Sequence, residues 1–336
     1  MKAWQLCGFG LENLRLTDIP LPRPQATEVL VRVHAVSLNY RDRMLVEGQY
    51  NPGMSFPMTQ VADASGEVVE VGKDVTRFKT GARVITQYAT RWIDGEPQGD
   101  ESMHTLGNTI QGALAEYLAL DQEALAYAPG YLNDEEAAAL PCAGLTAWYA
   151  LVEKGQLKAK QTLLVQGTGG VSLFGLQIAS ALGAEVIVTS SSDEKLERTK
   201  ALVANQGINY VRTPAWEKEV LELTSQKGVD HILEVVGGKS LAQSMAAVKP
   251  GGTISAIGIL EGFSSEIPLF LLLPKQILLR GISTGPRRAL EEMNRAFEKF
   301  QLRPIIDTVY PFDDALAAYE HLSRGAFGKI VIRVRV

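Results

Sequence analysis

Over the second half of the chain, nearly unbroken apolar runs alternate with helical segments: "TLLVQG", "VSLFGLQIASALG", "EVIVTSS", "DEKLERTKALVANQG", "VDHILEVVG", "SLAQSMAAVKPGG" and "TISAIGI". This alternation restricts the fold more than any other feature. A strand with no polar face has to be covered on both sides. Repeated βα units achieve this by laying parallel strands between two layers of helices, which predicts an α/β, doubly wound sheet. Residues up to about 122 read differently. "EVLVRVHAVSLN" alternates and is rich in Val, glycine turns separate short strands in "ASGEVVEVGKDVTRFKTGARVI", and "GALAEYLALD" adds another. That pattern predicts a small barrel or folded sheet.

Two segments qualify the division. "YATRWIDGEPQGDESMHTLGNT" has no period and reads as a long surface loop that shapes a pocket, with Trp92 and Met103 in it. The tail "GKIVIRVRV" reads as a strand that can rejoin the first domain. Asn133 with Glu136 three residues later forms the signature of a capped helix start. A chain of 336 residues is too long for one ordinary core and comfortable for two domains.

Composition narrows the function classes. A formal net charge of -5 gives no basic surface for nucleic acid. Apolar runs such as "IPLFLLLPKQILL" are broken by Pro and Lys, so no membrane span is expected. Cys7 and Cys142 form neither a CxxC pair nor a disulfide framework, and the N-terminus lacks the apolar core of a signal peptide. A cytoplasmic protein is expected.

The segment Gly167-Thr168-Gly169-Gly170-Val171-Ser172 stands between an apolar strand and an apolar helix. The first glycine permits a tight turn and the second lets backbone approach phosphate. The free N–H groups at Gly167, Gly169, Gly170 and Val171, with the positive helix end, suit a dinucleotide diphosphate. Ser172 replaces the third glycine of the pattern. The alternative is a tight turn without a ligand. An NAD site commonly places Asp or Glu at the end of the next strand; here stand Ser190, Ser191 and Ser192, with Lys195 and Arg198 following and Tyr210 after the next strand. Hydroxyls and a cation accept a 2′-phosphate that a carboxylate repels, so NADP(H) is expected. Asp193 keeps NAD open, and Ser192 or Asp193 can equally serve as a helix cap.

Together "VSLNYRD", "PMTQVADASGEVVEVGKDVTRFKTGARV", "LPCAGLTAWYAL", "LLVQGTGGVSLFGLQIA", "VKPGGTISAIG" and "FGKIVIRV" resemble the medium-chain dehydrogenase/reductase superfamily, in its zinc-independent quinone oxidoreductase-like branch. The resemblance implies a GroES-like β-rich catalytic domain, 1–124 completed by 285–336, and a Rossmann NADP-binding domain, 125–284. Where zinc-dependent relatives carry Cys, His and Cys ligands with an acid beside the His, this chain has Asn39, Ala62, Cys142 and Asp63. Such a set cannot satisfy a four-coordinate zinc ion, so no metal is expected.

Without a Lewis acid, the fitting acceptor spreads its developing charge by conjugation: a quinone or an α,β-unsaturated carbonyl. By resemblance, Asn39 hydrogen-bonds the nicotinamide ribose or the substrate oxygen, or is a turn residue. Tyr50 donates to a developing oxyanion or forms an aromatic wall. Thr146 bonds the cofactor near the nicotinamide or caps a turn. Gly237, Gly258 and Ile259 line the nicotinamide side, and Lys329 reaches the cofactor. A homodimer is expected through the edge strand "ILLRGIST". Two other functions stay open: a zinc-type alcohol dehydrogenase, and an NADPH-binding redox sensor without turnover.

Overall fold

The computed structural model describes residues 1–334, which fold as two compact units: 1–145 with 284–334, and 146–283. In the first unit, the eleven-residue strand Glu28–Leu38 is the organiser. Its Val and Leu side chains are buried. On one edge it pairs along its length with Asp63–Val71. On the other it pairs with Tyr117–Asp121 through residues 28–32, and with Lys329–Arg333 through residues 35–38. The C-terminal strand thus does rejoin the first domain. All of these belong to one seven-stranded sheet; a separate three-stranded sheet has Lys2–Leu6 at its centre.

The first unit extends to Leu145, where the resemblance implies a boundary at 124. The reason lies in the helix Asp134–Ala138. Asn133 and Glu136 form the expected box, Glu136 N–H to Asn133 Oδ1 at 2.8 Å and Asn133 N–H to Glu136 Oε2 at 3.0 Å. The helix start is then tied to the sheet by His34 Nδ1 and Arg83 Nη2, which lie 2.8 and 2.7 Å from the Asp134 carboxylate. The expected surface loop after Tyr88 is only partly one. Met103 is exposed, whereas Tyr88, Trp92 and Leu106 are buried.

The second unit is a six-stranded parallel sheet. Its spatial order is Gln206–Asn209, Glu185–Ser190, Thr162–Gln166, Val229–Glu234, Val248–Ala256 and Leu278–Gly281. This is the α/β, doubly wound arrangement expected, with the helix Gly170–Ala181 following the central strand. Among the described residues no helix is long and apolar enough to cross a membrane.

Candidate active site

Each unit contributes a polar constellation. In the first, Asn39 directly follows the organising strand and caps the helix Tyr40–Val46. The Asp42 carboxylate accepts the Asn39 N–H at 2.8 Å, which fixes that turn. The Asn39 carboxamide lies between two charges. Its Nδ2 donates to Asp63 Oδ2 at 2.9 Å, and its Oδ1 accepts from Lys329 Nζ at 2.5 Å. Lys329 also donates to the Leu38 carbonyl at 2.8 Å and stands 3.5 Å from Asp63.

Register explains how such distant residues meet. Ile330 lies opposite Leu38 on one edge of the organising strand, and Asp63 lies opposite Ser37 on the other. Asp63 is fully buried and Lys329 only 3% exposed. Burial pushes the Asp63 carboxyl up to about 6, although Lys329 and Asn39 pull it down. Burial raises Asp42 as well, with Arg41 at 3.5 Å as counter-charge. The buried Arg41 guanidinium sits 4.9 Å from the Tyr88 ring and 5.8 Å from the Tyr50 ring, and Nη1 donates to the Leu106 carbonyl at 2.9 Å. Tyr50 is the member of this stack that reaches solvent.

These residues do not fit a zinc ion. The three positions where the resemblance would put ligands hold a carboxamide, a methyl group and a thiol. Burial, then the Asp63 charge, pushes the Cys142 thiol well above its ordinary range, away from the thiolate a metal needs. Among the described residues no three His, Cys, Asp or Glu side chains converge to hold a metal. An ammonium already occupies the space beside Asn39 and Asp63.

In the second unit the glycine turn is open. Gly167 has a φ of +71°, which favours glycine. A Cβ on Gly167 or Gly169 would meet no protein atom within 4 Å. Bare backbone therefore faces open space at the start of a twelve-residue helix with no side-chain cap. Unsatisfied N–H groups at the positive end of a helix fit an anion such as a diphosphate. Ser172, in place of a third glycine, donates to the Gln166 carbonyl at 2.6 Å and so braces the turn.

The Gly167 N–H is not free as expected: it donates to the Thr189 carbonyl at 2.7 Å, tying the turn to the strand that ends at Ser190. Around that end, Ser190 is buried, Ser191 is exposed, Lys195 is half-buried, and the Tyr210 N–H donates to the Ser190 carbonyl at 3.1 Å. Ser192 is the helix cap, accepting the Lys195 N–H at 3.2 Å. Asp193 is already engaged: it accepts from Asn209 Nδ2 at 2.9 Å and pairs with Arg212 at 2.7 Å. Nothing local in the sequence marks Arg212; strand pairing of Ser190 with Asn209 brings it to this end of the sheet.

Gly237 and Gly258 are neighbours. The Gly258 carbonyl lies 3.2 Å from where a Cβ on Gly237 would stand, and a Cβ on Gly258 would stand 1.9 Å from the Val235 carbonyl. Ile259 follows, half-buried. The Thr146 hydroxyl is directed to the Ser283 carbonyl at 3.3 Å. The Lys329 ammonium is bound among Leu38, Asn39 and Asp63.

Comparison with known proteins fits this architecture. Residues 25–130 match the alcohol dehydrogenase GroES-like domain and residues 170–299 the zinc-binding dehydrogenase family. A putative alcohol dehydrogenase from Sinorhizobium meliloti superposes with a TM-score of 0.94 at 47% identity, over 99% of this chain and 98% of that one. A zinc-type alcohol dehydrogenase-like protein of Schizosaccharomyces pombe is 38% identical over 97% of this chain and 96% of its own length. The quinone oxidoreductase of Sus scrofa is 27% identical over 99% and 97%. A GroES-like unit assembled from both chain ends, an open glycine turn on a doubly wound sheet, and relatives aligned over nearly their full length establish that this chain is an oxidoreductase of the medium-chain dehydrogenase/reductase superfamily.

Proposed function

We propose that the chain is an NADPH-dependent reductase of quinones or α,β-unsaturated carbonyls that works without zinc. One observation carries this reading: Asn39, where the first zinc ligand would stand, is hydrogen-bonded between buried Lys329 and Asp63, while the other two ligand positions hold the Ala62 methyl and the Cys142 thiol. With no Lewis acid in the site, an alcohol has nothing to lower its pKa, and a conjugated acceptor is the fitting substrate.

When bound, NADPH supplies the hydride. The free N–H groups at Gly169, Gly170 and Val171 hold its diphosphate, and Gly167, whose own N–H is bonded to Thr189, leaves room for it to approach. Ser190, Ser191, Lys195 and Tyr210 take the 2′-phosphate, and the Asp193 carboxylate does not oppose it because Arg212 neutralises it. Gly237, Gly258, Ile259 and Thr146 line the nicotinamide half. Tyr50, exposed above the Arg41 guanidinium, donates to the acceptor oxygen as charge develops there. Asn39 retains one amide N–H beyond its bond to Asp63, and so can orient ribose or substrate.

The same reading includes a homodimer in a cytosolic setting. Leu278–Gly281 ends the sheet as an edge strand, and Phe270, Leu273 and Leu278 stand exposed around it. Both cysteines are free thiols.

The decisive experiment is a turnover screen of the purified protein. NADPH oxidation is followed with quinones, enones and aldehydes, NADP⁺ reduction with alcohols, and metal content is measured in parallel. Turnover of a conjugated acceptor, unaffected by chelation, is the expected result. Stoichiometric zinc with alcohol oxidation would establish the second reading, an alcohol dehydrogenase, which the names of the Sinorhizobium and Schizosaccharomyces relatives favour.

A further inference from the structure

Open α/β sheets bind ligands where strand order reverses, because neighbouring strands there send their connections to opposite faces. In this sheet the chain moves outward in one direction from Thr162–Gln166 and in the other from Val229–Glu234, so the reversal lies between these two adjacent strands. Their last residues meet across it: Gln166 Nε2 donates to Glu234 Oε2 at 2.9 Å. Gln166 leads directly into the open glycine turn.

Glu234 is 1% exposed. Its Oε1 accepts the N–H groups of Val236 at 3.0 Å and Gly237 at 2.9 Å. Its Oε2 accepts from Gln166, from the Ser244 hydroxyl and, at 3.5 Å, from the Ser240 hydroxyl. All five partners are neutral and all five donate, the pattern of an ionised, acceptor-only carboxylate. No cation is among them.

We infer that Glu234 is a buried, uncompensated anion beneath the dinucleotide crevice that favours the oxidised, positively charged nicotinamide over the reduced, neutral one. This rests on the reading that a nicotinamide dinucleotide occupies that crevice. An anion screened by neither solvent nor a counter-ion acts over several ångströms, and charge near a cofactor tunes its electronics. Five donors on two strand ends and a helix hold the carboxylate still. Its field stabilises the positive charge left when hydride departs, and so drives donation to the acceptor.

The test is the ratio of dissociation constants for the oxidised and reduced dinucleotide, measured on the full chain with both the phosphorylated and the unphosphorylated pair. Glu234→Gln should weaken the oxidised form at least about fivefold more than the reduced form. The exchange variant Gln166→Glu/Glu234→Gln keeps one negative charge and a donor–acceptor pair across the two strand ends. It should return the ratio to within about twofold of wild type. Where Glu234→Gln alone does not fold, Gln166→Met/Glu234→Gln serves as the neutral partner, because it removes the clash of two amide donors. Equal weakening of both forms in the neutral variant, or no recovery in the exchange variant, would overturn the inference alone. A wild-type protein that binds neither pair would overturn the dinucleotide reading and this inference with it.

Discussion

Asp63 and Glu234 are both essentially fully buried carboxylates, and the two units hold them by opposite means. Asp63 has a cation, Lys329, and one amide donor, while its Oδ1 finds no partner among the described residues. Glu234 has no cation and a full shell of neutral donors. Removing a carboxylate from water is costly, and either a charge or enough oriented dipoles can offset it. The two solutions fail differently. A charge pair collapses when one partner is lost, whereas a dipole shell loses strength donor by donor.

The largest effect should therefore come from Lys329→Met, which strands Asp63. We expect a loss of about 3–5 kcal/mol at pH 7 in urea unfolding, shrinking at pH 5 as Asp63 takes up a proton. A deficit identical at both pH values would show that Lys329 matters for packing alone.

Next is the pH dependence itself. Asp63 is raised from 3.8 to about 6, so the folded state binds the proton more tightly than the unfolded chain. Its contribution to stability is full below about pH 4 and is lost as pH rises through 6, about 3 kcal/mol in all. Asp63→Asn should flatten the stability profile between pH 4 and 7, and an unaltered slope would assign that titration elsewhere.

Smaller still, Ser244→Ala removes one of five donors from Glu234. It should cost about 1–3 kcal/mol by the same unfolding assay, without the collapse expected at Lys329. The smallest effect belongs to the exposed Arg212–Asp193 pair. Arg212→Ala should change stability by less than about 1 kcal/mol, since both side chains are more than half exposed. A larger loss on thermal unfolding would mean that Arg212 supports the end of the sheet as well as its surface charge.

The sequence revealed what is local. The βα alternation, the glycine turn and the Asn133–Glu136 box are all settled within a few residues, where period and spacing are direct readouts of backbone geometry. The terminal strand was legible for the same reason. Lys329 beside Asn39 was not, because they meet only through strand pairing across most of the chain. Glu234 was hidden in another way. It sits in "HILEVVGG", an otherwise apolar run, and nothing in such a run says that two serines and a glutamine from neighbouring elements will surround its carboxylate. Arg212 carries no such signal because an exposed arginine reads as a solvated face until strand register places it beside Asp193. Burial of Tyr88, Trp92 and Leu106 likewise depends on packing that a segment without periodicity does not announce.

The seam between Glu28–Leu38 and Lys329–Arg333 also sets a timetable for biosynthesis. Leu38 and Lys329 are separated by 291 positions. At about 5–20 residues per second, the N-terminal strand waits roughly 15–60 s for its C-terminal neighbour to leave the ribosome. The segment 146–283 is continuous and can mature during that interval, while an apolar strand upstream keeps one half of its edge unzipped. Nascent chains stalled before Lys329–Arg333 is made should consequently be the species that chaperones retain and proteases find first.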